Sequence, residues 1–102
     1  MANVGHCHPR VVAALSGQAS TLNIHTRYLH EAILDYAENL TSTFADPLST
    51  VMFTCTGSEA NDLALRMARH ATGAMGIICT RETYHGNTSA VDELATLFRA
   101  GE

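Results

Sequence analysis

The 102-residue chain contains no lysine: its six basic residues are all arginine, Arg10, Arg27, Arg66, Arg69, Arg81 and Arg99. Chemistry that needs a lysine amine is therefore closed to this chain acting alone. No basic stripe offsets the net charge of -4, which argues against a nucleic-acid partner. No apolar run approaches the ~20 residues of a spanning helix, so no membrane association is expected. Residues 1–10 are polar and turn-forming where a secretory signal would carry a basic start and an apolar core. Cysteine is sparse and odd in number. Cys7, Cys55 and Cys79 lie far apart, which suits free thiols in a reducing cytoplasm better than a disulfide frame. What remains, 46% hydrophobic and 16% charged residues, is the balance of a soluble globular protein.

The punctuation of the chain predicts an order of elements. Pro9 precedes Val11, Val12, Leu15 and Ala19, which share one helical face, and proline at a first helical position loses no bond. Gly17 weakens that helix by roughly 1 kcal/mol relative to alanine. Leu29, Ile33, Ala37 and Leu40 form the apolar stripe of a second helix, with Glu31, Asp35 and Glu38 on its other faces. Asp46-Pro47 forces a turn. Thr50 to Cys55 is short, apolar and partly β-branched, which predicts a buried strand, and Gly76 to Thr80 predicts another. Between them Thr56 and Glu59 match a capping box opening a third helix. Ala60, Leu63, Ala64, Met67 and Ala71 are its expected buried stripe, and Gly73 suits its end. A last short helix is expected from Ser89 to Arg99, with Val91, Leu94, Leu97 and Phe98 facing inward. Helices alternating with short strands predict an α/β domain. Two strands are too few to complete one, which predicts a piece of a larger α/β domain.

Two loops stand out as candidate sites. At Thr56-Gly57-Ser58 a strand is expected to pass through a glycine turn into a helix start. The unpaired amides and the helix dipole there make an anion site, with the Ser58 hydroxyl as a further donor. The motif has neither the second glycine and lysine of a nucleotide P-loop nor the glycines of a dinucleotide fingerprint. The second loop, Tyr84-His85-Gly86, follows the other predicted strand. In open α/β sheets ligands sit beyond the carboxyl ends of strands, where a tyrosine can stack on a planar ring. The bland alternatives are a capped helix and an ordinary turn. His6-Cys7-His8 invites a metal reading, but the remaining His and Cys residues show no ligand spacing, and helix entry at Pro9 accounts for it. Cys55 and Cys79 read as core residues. No Gly-x-Ser-x-Gly elbow is present. Arg66 with Arg69, and the three acidic residues of the second helix, read as solvated faces.

The stretches Asn3 to Pro9, Thr26 to His30, Thr56 to Arg66 and Tyr84 to Thr88 together resemble the class III aminotransferases, pyridoxal 5'-phosphate enzymes of fold type I. The likeness runs from Asn3 to about Asp92, with the motifs in family order. It is nearest the branch of alanine–glyoxylate-like aminotransferases and amino-alcohol-phosphate phospho-lyases. The resemblance implies an incomplete fold type I large domain over residues 1–102, with helices plus two buried strands that are not neighbours in the family's sheet. It implies that Gly57 and Ser58 hold the cofactor phosphate, that Tyr84 stacks on the pyridine ring, and that His85 and Gly86 shape the wall. Substrates would be an amino donor and a keto acid, and the family's homodimer would place residues 6–9 and 26–30 toward the subunit interface. No catalytic residue can be assigned. The family's Schiff-base lysine has no counterpart, and the acidic partner of the pyridine nitrogen and the small C-terminal domain are missing. The chain alone is expected to be inactive. The alternatives are a phospho-lyase built on the same cofactor, and a non-catalytic truncated remnant that pairs with an intact subunit.

Overall fold

In a computed structural model, residues 3–94 are described. They fall into two compact units that divide between Ser49 and Thr50. In the first unit, helix α1 covers Pro9–Thr21 and helix α2 covers Glu31–Thr41. Pro9 opens α1 as its position predicts. Helix α2 starts two residues later than the apolar stripe implies. His30 takes the N-cap position, and its Nδ1 accepts the Ala32 amide at 3.2 Å, leaving Leu29 outside the helix and 90% exposed. An imidazole here performs the task that serine or aspartate usually performs, satisfying an amide with no carbonyl partner inside the helix. Between the helices, residues 25–28 turn. The Arg27 amide donates to His25 Nδ1 at 3.2 Å, and the His25 and Tyr28 rings lie 5.2 Å apart. Asp46-Pro47 lies in a turn and carries a cis peptide bond.

The second unit is built on helix α3, Gly57–Thr72, and a single further turn, α4, Ser89–Asp92. Helix α3 has both of its expected ends. The Glu59 amide donates to Thr56 Oγ1 at 3.1 Å, and the Glu59 carboxylate accepts the amides of Thr56 at 3.1 Å and Cys55 at 2.8 Å. Gly73 ends the helix at φ 68, the left-handed conformation that glycine adopts without a Cβ penalty. Replacing Thr56 by alanine is expected to cost about 1 kcal/mol of helix stability, seen as reduced far-ultraviolet helicity on mild heating. An unchanged melting profile would mean that the box contributes nothing. The Ser89 helix stops at Asp92, and the expected continuation beyond residue 94 lies outside the described residues.

Three expectations need correction. Neither Thr50 to Cys55 nor Gly76 to Thr80 forms a strand, and no strand occurs among the described residues. Most of those residues are exposed, Ile78 completely so. A strand is a two-body structure that exists only when a neighbour completes its ladder, and here none is alongside. For the same reason the helical stripes are not buried. Val11, Val12, Leu15, Ile33 and Met67 are exposed, while Leu63, Ala37 and Leu40 are half-covered. Cys55 and Cys79 are exposed thiols rather than core residues. Val91 is the one fully buried hydrophobic side chain among the described residues, and it lies on α4, which contacts α3.

Candidate functional site

The start of α3, where the sequence reading expects an anion, is a capped helix N-terminus. Four amides at a helix start have no carbonyl within the helix. Here the Thr56 amide is taken by the Glu59 carboxylate and the Glu59 amide by Thr56 Oγ1, both at 3.1 Å. The amides of Gly57 and Ser58 meet no acceptor among the described residues. They are the two that the sequence nominates. The pull on an anion comes from these backbone dipoles and not from a basic side chain. The Glu59 carboxylate, one turn away, opposes it, although two amides already share its charge.

The Tyr84-His85-Gly86 loop is seated on this helix start by three polar contacts. Asn61 Nδ2 donates to the His85 carbonyl at 2.6 Å. The Asn87 amide donates to Ser58 Oγ at 3.1 Å, and Ser58 Oγ donates to Asn87 Oδ1 at 3.1 Å. Below the loop, Thr83 Oγ1 donates to the Thr80 carbonyl at 2.9 Å and lies 3.0 Å from His85 Nε2. Gly86 is buried against Ser58. A Cβ on it would stand 2.6 Å from Ser58 Oγ and 2.8 Å from Ser58 Cα, and its φ is +137. Only glycine fits there. Tyr84, two residues earlier, is 65% exposed, leaving ring surface open.

All five residues nominated from the sequence therefore lie in one unit. The structure joins Ser58 to Gly86 directly and His85 to the helix through Asn61. Tyr84 makes no hydrogen bond or ring contact with Gly57 or Ser58. Sequence reasoning missed Asn61 and Asn87 as the connectors. One signal was available for Asn61: it stands three residues after Ser58, on the same side of the helix. The Ser58 hydroxyl, expected to be free for a ligand, instead has Asn87 on it. An incoming phosphate oxygen would take the place of Asn87 Oδ1 as acceptor. Beside the clamp, an open groove of about 350 Å³ runs between Asn61, Ala64 and Leu65 of α3 and residues 77–80.

A model of the family described as Aminotransferase class-III matches residues 1–96. The chain belongs to this family. It is 44% identical over 95 residues to a Drosophila melanogaster protein named alanine--glyoxylate aminotransferase 2-like, covering 93% of this chain and 19% of that one. It is 44% identical over 93 residues to ethanolamine-phosphate phospho-lyase homolog 1 of Caenorhabditis elegans, covering 91% and 20%. Identity to the mitochondrial alanine--glyoxylate aminotransferase 2 homolog 2 of Arabidopsis thaliana is 46% over 89 residues, covering 86% and 19%. The chain thus spans about a fifth of the length of these relatives.

Membership implies the fold type I architecture and pyridoxal phosphate as cofactor. The residues here fit the phosphate of that group. Two amides without acceptors, a helix dipole and an exchangeable serine hydroxyl make a donor set for a phosphate monoester. Elsewhere, no group of three or more His, Cys, Asp or Glu among the described residues is arranged to hold a metal ion. His8 is the residue before α1, as the helix-entry reading has it. No helix among the described residues is long and apolar enough to cross a membrane.

Proposed function

We propose that this chain is the phosphate- and ring-binding portion of a class III aminotransferase large domain, and that the protein it represents transfers an amino group from an amino donor to a keto acid. The observation that carries this reading is the pair of acceptor-free amides at Gly57 and Ser58, with the Tyr84-bearing loop fastened beside them to the Ser58 hydroxyl and the Asn61 side chain. Gly57 and Ser58 would hold the cofactor phosphate. Tyr84 would cover one face of the pyridine ring, and His85 and Gly86 would bound the space beside it. Bound there, pyridoxal phosphate supplies an electron sink for bonds at the substrate α-carbon. The chain's own residues would bind and orient it.

Activity on an amino-alcohol phosphate is a second reading, favoured by the phospho-lyase named among the relatives. A homodimer and a cytoplasmic location complete the proposal. The location rests on the unpaired thiols, and a mitochondrial one is the alternative that a relative's name raises.

The test is a titration of the full chain with pyridoxal phosphate, followed by tyrosine fluorescence, with inorganic phosphate as competitor. Saturable quenching that phosphate reverses is the expected result. Replacing Ser58 by alanine should weaken binding about threefold to tenfold, the net range of one ordinary hydrogen bond, because the hydroxyl gives up Asn87 to take the phosphate. Quenching by pyridoxal phosphate and by phosphate-free pyridoxal at equal concentrations would overturn the anion site.

A further inference from the structure

Asn61 lies one turn inside α3, where a polar side chain of a surface helix normally faces water. Here its carboxamide reaches across 24 residues of sequence to the His85 carbonyl at 2.6 Å, the shortest side-chain hydrogen bond described in this unit. It also borders the groove that runs beside residues 77–80. The His85 carbonyl is a loop acceptor that no secondary structure satisfies. A donor from α3 ties it to the same helix whose first amides face an anion. Asn87 makes the companion tie to Ser58, but through a hydroxyl that the anion would recruit. Asn61 has no such competing task. Of the two asparagines, it is the one whose bond can persist when the phosphate site fills.

We propose that Asn61 is a positioning residue: by holding the His85 carbonyl it fixes Tyr84 relative to the Gly57–Ser58 amides, so that a ligand carrying both a phosphate and a planar ring meets two sites already at a set separation. The proposal rests on the phosphate-and-ring reading above for its ligand, but the clamp itself is a property of the unliganded chain. Preorganisation of this kind strengthens ligands that use both ends and leaves single-ended ligands unaffected. Inorganic phosphate uses only the helix start and should not notice Asn61. Pyridoxal phosphate uses both ends and should.

The experiment compares the full chain with Asn61→Ala and Asn61→Gln, each titrated with pyridoxal phosphate and, separately, with inorganic phosphate. Backbone amide relaxation at residues 84–87 is measured without ligand. Asn61→Ala is expected to weaken pyridoxal phosphate about fivefold, within the range of one lost hydrogen bond, with phosphate affinity unchanged and residues 84–87 more mobile. Asn61→Gln, which keeps the donor on a longer arm, should recover part of the loss. Equal pyridoxal phosphate affinity in the alanine variant overturns the proposal. So does a parallel loss for phosphate, which would mean damage to the helix start. If the parent chain binds neither ligand, the earlier functional reading fails. The clamp is then decided by relaxation alone: mobilised residues 84–87 in Asn61→Ala uphold it, and unchanged mobility overturns it.

Discussion

Replacing Gly86 by alanine should abolish pyridoxal phosphate binding by this chain, with affinity falling more than tenfold. The added Cβ would lie 2.6 Å from Ser58 Oγ, 2.8 Å from Ser58 Cα and 2.9 Å from Ser58 Cβ. A hydroxyl can swing away, but a Cα on the first turn of a capped helix cannot. The backbone adds a second obstacle, because φ of +137 is a region that side-chain-bearing residues rarely adopt. Holding such a residue there costs on the order of 1–3 kcal/mol. The loop can relieve both penalties only by lifting off α3, which breaks the Asn61–His85 and Ser58–Asn87 contacts together. Fluorescence titration reads the lost affinity, and circular dichroism confirms that α3 itself survives. An alanine variant that binds as the parent does would show that this contact has no part in the site.

The second large effect is the complete lack of turnover. Given pyridoxal phosphate, an amino acid and a keto acid, the 102-residue chain should produce amino transfer no faster than the free cofactor does. In the family a lysine amine moves the proton at the substrate carbon, and this chain has no lysine. A positioned general acid–base contributes about 10²- to 10⁴-fold to rate, and none of the residues gathered at α3 supplies an equivalent amine. Borohydride treatment with the cofactor should label no side chain. Product formation above the free-cofactor rate would transfer the role to another group, and His85, the imidazole of this loop, would be the first to replace.

Local chemistry made the helices legible. The ends of α3 are written in Thr56, Glu59 and Gly73, whose effects are exerted within one turn, and Pro9 marks the start of α1 for the same reason. The start of α2 was misread because a histidine took the capping task. Strands were illegible for a different cause. Thr50 to Cys55 has the composition of a strand, but pairing is decided by what lies beside it, and no neighbour is present. The site divides along the same line. Gly57, Ser58, Tyr84, His85 and Gly86 could be nominated from their motifs. The bonds that join them run between residues 24 and 29 apart, and such partners become visible only when the chain has turned back on itself.

That turning back can be weighed as reach. Helix α3 carries the chain about 21 Å from Ser58 to Thr72, fourteen residues at ~1.5 Å each. Gly86 nevertheless rests on Ser58. The fourteen steps from Thr72 to Gly86 could span roughly 46 Å at ~3.3 Å each, about twice the distance they must recross. The return is therefore slack, and part of the slack is taken up by the turn at residues 81–82. Residues 73–83 are a loose tether: losing three or four of them would still leave roughly 33 Å of reach. What brings the tyrosine home is the pair of anchors at Ser58 and Asn61, not the length of the cord.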